Sequence, residues 1–129
     1  MTDWPGEFPA SCPPEDAMPS AEMFYRLVDS DPVTEQDFWS LKARVEAGLQ
    51  RMPPAAATED ECVIVGTSVY ASAEEINALR NSVGPLRTKQ VAVGSLSNSG
   101  VVKKTRGPGH HTWWRPSADS AWQDFVVQP

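Results

Sequence analysis

Lys89-Gln-Val-Ala-Val-Gly-Ser-Leu-Ser-Asn-Ser-Gly-Val-Val-Lys-Lys-Thr105 decides the fold. Two runs of strand-forming residues, 89–96 and 101–105, flank Ser97-Asn-Ser-Gly100, which has the composition of a short hairpin loop with Gly100 at positive φ. Strands joined so closely must run antiparallel, so an antiparallel sheet is the expected frame. Gly94, inside the first run, marks a bulge or a spot where another group comes close.

Toward the C-terminus, Gly107-Pro108-Gly109 turns the chain again, His111 to Arg115 has strand composition, and Trp122 to Val127 forms a last strand or a short helix, with Phe125-Val-Val favouring the strand. Toward the N-terminus, Cys62-Val-Ile-Val-Gly-Thr-Ser-Val-Tyr70 is a continuous apolar run followed by alternation, which suits a central strand. Met23 to Val28 is a first strand that stops at Asp29-Ser-Asp-Pro32. Thr34-Glu-Gln-Asp37 resembles a capping box ahead of Phe38, Leu41, Val45 and Leu49 at helical spacing, which predicts a helix over about 35–50. Ser72-Ala-Glu-Glu75 opens a second helix carrying Ile76, Leu79 and Val83, closed by Gly84-Pro85. The expected fold is α+β, a mostly antiparallel sheet of about five strands with two helices packed on one face. The 129 residues suit a single domain, with 1–20 an extended arm because five of the chain's 12 prolines fall there.

Charge divides the chain. Residues 1–75 hold fifteen carboxylates against four cations, while 76–118 hold seven cations and no carboxylate, within a net charge of −6. A general DNA binder is excluded by that acidic balance, and a membrane span by the lack of an apolar run of about 18 residues. Asp3 and Glu7 stand where a signal peptide carries cations, so a cytoplasmic location is expected. Cys12 and Cys62 lack metal-ligand spacing, and both are expected as reduced thiols.

The chemistry-bearing residues gather near the C-terminus. Lys103, Lys104, Arg106, His110, His111, Trp113, Trp114 and Arg115 form a basic, aromatic edge suited to a phosphate or a planar ring, and Arg26 on the first strand either lies on the solvent face, as an alternating strand favours, or is delivered to a pocket as a further cation for the same ligand. Alternation puts His111 with Trp113 on one side of a strand and His110 with Trp114 on the other, so one pair is expected in the core and the other exposed. No metal site is expected, and no cofactor is indicated. Ser68, Ser95 and the thiols become nucleophiles only where a histidine is brought to them in space. His110-His-Thr112 contains the H-x-T element of two-histidine phosphodiesterases, but the second copy that their mechanism needs is missing.

Two resemblances follow from these residues. Tyr25-Arg-Leu-Val28, Glu35-Gln-Asp-Phe38, Gly66-Thr-Ser-Val69, Gly100-Val-Val-Lys103 and His110-His-Thr-Trp-Trp114 together resemble a group of small bacterial proteins ending in a Ser/Gly-His-His-Thr-Trp-Trp signature, which implies no particular activity. Tyr25-Arg26 and the succession Gly66, Ser68, Ser72 are similar to ADP-ribosyltransferase-type folds, which implies a nucleotide cofactor and a catalytic Glu on a late strand, where this chain has Asp124 or Gln128. The expected function is a small binding module that uses the basic edge to hold an anionic, nucleotide-like ligand or an acidic partner surface. The alternatives are an acidic immunity or antitoxin protein acting through its N-terminal half, and a nucleotide-cofactor-dependent transferase or hydrolase.

Overall fold

In the computed structural model, which describes residues 3–53, 60–107 and 109–129, six strands form one antiparallel sheet. They are β1 (Met23–Val28), β2 (Thr67–Tyr70), β3 (Gln90–Ser95), β4 (Val101–Lys104), β5 (His110–Trp114) and β6 (Val126–Val127), in the order β4-β5-β2-β1-β3-β6. The helices are α1 (Leu41–Glu46), α2 (Glu61–Ile64) and α3 (Ala73–Ser82), so the α+β class is as expected.

The predicted β3–β4 hairpin does not form. β3 pairs along its whole length with β1, from Met23 opposite Ser95 to Val28 opposite Gln90, and β4 pairs with β5 at the far edge. Gly100 does take positive φ, at 69°, but Ser97 and Asn98 do too, at 53° and 57°. This coil leads the chain away from β3, and the Asn98 amide donates to the Ser20 carbonyl at 2.9 Å. The hairpin forms instead across 105–110, where the Thr105 amide donates to the His110 carbonyl and the His110 amide to that of Gly107.

Side-chain caps explain where the helices depart from expectation. The Asp37 carboxylate accepts from the Thr34 and Asp29 amides, both at 2.9 Å, which holds Glu35–Phe38 as one 3₁₀ turn. Trp39 is extended, and the Ser40 hydroxyl caps α1 by accepting from the Ala43 amide. The apolar run from Cys62 is not a single strand either. Asp60 caps it by accepting from the Cys62 amide at 2.7 Å, and its first residues become the single turn α2. α3 starts at Ser72 as expected, but the Ser72 hydroxyl only accepts from the Glu75 amide. Before β6, Ala121–Asp124 is another 3₁₀ turn.

The sheet is covered on both faces. Phe24, Val28, Phe38, Val69, Ala92, Leu96, Trp113 and Phe125 make one core, while Trp114, Val65, Cys62, Cys12 and Ala17 make the other. Trp113 and Trp114 are therefore each 0% exposed, and the expected exposed partner does not exist. The N-terminal arm supplies much of the second cover. It is not extended: Pro5, Pro9 and Pro14 each open a turn whose carbonyl accepts from the amide three residues on. Trp4 stacks on Phe8, and a disulfide joins Cys12 to Cys62, so neither cysteine is the expected free thiol. Folding the arm over α2 is what brings the two sulfurs together.

At Gly94 the approaching group is Phe125. A Cβ there would sit 2.7 Å from Phe125 Cδ1 and 2.9 Å from its Cα. Gly94→Ala must push the last core aromatic outward, and is expected to cost about 1–3 kcal/mol, read as a lower urea midpoint with unchanged slope.

Candidate functional site

The sheet has a seam. β1 and β2 are joined at Tyr25 opposite Tyr70 and nowhere else, whereas β1–β3 has six paired positions. Beyond Tyr25 the two strands part. Arg26 fills the gap with a side chain where a ladder would have continued. Its Nη1 donates to the Ser68 carbonyl at 2.6 Å, its Nε to the Asp37 carbonyl at 2.7 Å, and the guanidinium lies 5.8 Å from the centre of the Phe38 ring. Burial pushes Arg26 down to about 10. Repulsion from Arg44 adds to this, and Asp37 and Asp29 offset part of it. The group stays cationic at neutral pH. No carboxylate among the described residues lies within ion-pair distance of it, because Asp37 is turned toward the Asp29 and Thr34 amides.

A cavity of about 450 Å³ opens on this seam. Arg26, Ser68 and Tyr70 line its sheet side; Trp39 and Leu41 come from the start of α1, Val63 and Gly66 from the α2 region, and Leu79 and Leu86 from α3 and the turn after it. Asp29, Arg44 and Lys89 also line it, and Asp29 bridges the two cations, at 2.8 Å from Lys89 and 3.5 Å from Arg44. Burial raises the Asp29 carboxyl, but Lys89 and Arg44 outweigh that and hold it below its ordinary value. The Tyr70 phenol is pushed up by burial, against the pull of Arg106 and Arg26.

Alternation along β2 puts Thr67 and Val69 in the core and leaves Ser68 and Tyr70 half-buried. Opposite them on β5, Tyr70 faces His110 and Ser68 faces Thr112. His110 Nε2 sits 3.1 Å from Ser68 Oγ. Its Nδ1 lies 2.9 Å from Thr105 Oγ1, which is 2.8 Å from Thr112 Oγ1, and the Tyr70 ring meets the imidazole edge-on at 5.2 Å. Near this group, the buried Glu75 Oε2 has no hydrogen-bond partner among the described residues, and the Glu75 charge adds to the rise at Tyr70.

Of the residues singled out by sequence, Arg26 and Arg106 line the cavity and His110 stands behind Ser68. The others are elsewhere. His111 is on the opposite face, with its ring against Phe24 and Nδ1 at 3.1 Å from the Gly109 carbonyl. Trp113 and Trp114 are core and donate to the Ser99 and Cys62 carbonyls, each at 2.8 Å. Arg115 is bound to Asp119 at 2.8 Å and to the Phe38 carbonyl at 3.1 Å, Lys103 pairs with Asp16 at 2.8 Å, and Lys104 is exposed at the sheet edge. The basic edge is thus scattered, and the pairs Lys103–Asp16 and Arg115–Glu35, the latter at 3.8 Å, tie cations of the C-terminal half to carboxylates of the acidic half. Tyr70, Arg44 and Lys89 were missed. The one available signal was the alternation that leaves Ser68 and Tyr70 on the same side of β2.

No group of three or more His, Cys, Asp or Glu among the described residues is arranged to hold a metal, and no helix there is long and apolar enough to cross a membrane. No family model matches the chain, and no significant similarity links it to a curated protein or a solved structure.

Proposed function

We propose that the protein binds an anionic, nucleotide-like small molecule in the cavity at the β1–β2 seam, with Arg26 as the principal anchor. The observation that carries this is the Arg26 cation, half-buried in a cavity wall with main-chain carbonyls as its hydrogen-bond partners and no carboxylate paired to it among the described residues. Desolvating a charge that has no direct ion-pair partner is costly, and a ligand anion would lower that cost. Arg44 and Lys89 offer further positive charge in the same cavity, Trp39 and Tyr70 offer ring faces, and the volume suits a small ligand.

Calorimetric titration and thermal shift with ATP, NAD⁺, ribose 5-phosphate and inorganic phosphate test it. A ligand at a hundred times its Kd is expected to stabilise the fold by about 2.7 kcal/mol. Arg26→Gln is expected to weaken binding by roughly 10- to 100-fold, the worth of a charge-assisted hydrogen bond, while Lys104→Ala leaves it unchanged. Binding that survives Arg26→Gln and fails in Lys104→Ala would return the site to the C-terminal edge.

A cytoplasmic location belongs with this reading through the nucleotide-like ligand. The Cys12–Cys62 bond weighs the other way, because lasting disulfides are rare in reducing compartments. Trapping the thiols in intact cells decides between them.

A further inference from the structure

We propose that Ser68 is a nucleophile activated by His110, and that the cavity supports hydrolysis of a small carboxylic ester. The inference deepens the binding proposal, since the anion held by Arg26 would belong to the same substrate. The hydrogen-bond geometry itself stands apart from it.

The tautomer follows from the acceptors around the imidazole. Nδ1 faces the Thr105 carbonyl at 3.3 Å and the Thr105 hydroxyl at 2.9 Å. A carbonyl only accepts, so a proton on Nδ1 satisfies it. That leaves the Nε2 lone pair toward Ser68 Oγ at 3.1 Å, with the serine hydroxyl as donor. This is the arrangement a general base needs beside its nucleophile. His110 is 4% exposed and its ring is held by Tyr70, so the base is shielded from water. Ser68 is half-buried and is one of the residues that line the cavity, which places a bound substrate beside it. Arg26 Nη1 fixes the Ser68 carbonyl, which positions the main chain that carries the nucleophile.

The step balances without any further reagent than water. Ser68 Oγ adds to the acyl carbon as its proton passes to Nε2. The bond from that carbon to the alcohol oxygen breaks, and the alcohol leaves with the proton. Water then attacks the acyl-serine, Nε2 takes one of its protons, and Ser68 Oγ recovers that proton as the acid departs. Thr105 is neutral where a carboxylate commonly supports the imidazolium, so turnover is expected to be slow and acyl-serine to accumulate.

The test uses p-nitrophenyl acetate, a neutral ester whose reaction needs no anion at Arg26. The expected result is a burst of p-nitrophenol together with an acetyl adduct located at Ser68 by peptide mass spectrometry. Ser68→Ala, a small change at a half-buried site, is expected to abolish both. His110→Gln is expected to slow acylation by roughly 10²-fold or more, the worth of a general base. Because His110 is buried, Thr105→Val supplies a second arm that removes the hydroxyl at Nδ1, with an expected slowing of at least about tenfold, read against thermal melts of each variant. Acetylation only at lysines, or an adduct at Ser68 that forms equally fast in His110→Gln and Thr105→Val, overturns the proposal. Acylation without nucleotide binding leaves the dyad standing and removes the ligand; nucleotide binding without acylation does the reverse.

Discussion

Replacing Cys12 and Cys62 together by serine is expected to remove about 4 kcal/mol of stability, which lowers the melting temperature by on the order of 15 °C. The two cysteines are 50 residues apart, so the bond closes a long loop and withdraws many conformations from the unfolded chain. The loss is a large share of the roughly 5–15 kcal/mol that holds an ordinary domain together. It falls on the second core, where the arm packs Ala17, Trp4 and Phe8 against Val65 and Trp114. Calorimetry with and without reductant checks the result. The wild type is expected to fall on reduction to the level of the serine variant, which should ignore reductant; a difference of only a few degrees would mean that the arm stays seated by packing alone. The effect also reaches the cavity, because Val63 of α2 and Gly66 just after it line its wall. Reduction is therefore expected to weaken nucleotide binding in the wild type and to leave it unchanged in the serine variant.

Local chemistry in the sequence was legible, and the choice of partners was not. Gly100 takes the positive φ its turn composition demands, Gly94 is crowded as a strand glycine should be, and Ser72 opens α3. The first and last depend on neighbours within a few residues, whereas at Gly94 only the strand context was local and the crowding group, Phe125, comes from far along the chain. The β3–β4 hairpin failed because pairing is a competition: β1 offers β3 six paired positions, and the corner at 105–110 gives β4 a nearer partner in β5. The disulfide was invisible for the same reason, since only the folded arm brings residue 12 to residue 62. Of the residues singled out by sequence, Arg26 and Arg106 come to the cavity and His110 to Ser68. That place was not legible, because a seam made by one missing stretch of ladder has no signature in the composition of either strand. The tryptophans misled through a sound rule applied to an incomplete picture: alternation does separate Trp113 from Trp114, but a sheet covered on both faces buries both.

That burial sets the second large effect. Trp113→Ala is expected to cost about 3–5 kcal/mol, the range for deleting a fully buried aromatic. The indole is 0% exposed, stacks with Phe125 at 6.1 Å, meets Phe38 edge-on at 6.4 Å, and donates to the Ser99 carbonyl at 2.8 Å. Its deletion leaves a void between the sheet and the two 3₁₀ turns and strands that carbonyl. Trp113→Phe keeps most of the ring contact and loses the hydrogen bond, so about 1–3 kcal/mol is expected for it. Chemical denaturation of the two variants separates the contributions. Function gives the sharper contrast. Arg26→Gln is expected to abolish most ligand affinity while removing a half-buried charge with no ion-pair partner among the described residues, so its stability should change less than that of Trp113→Ala. Trp113→Phe is expected to do the opposite: melt earlier, yet bind nucleotide as the wild type does when titrated well below its transition. If Trp113→Phe instead loses affinity with its melting temperature unchanged, the indole is a ligand contact and the site lies on the other face of β5.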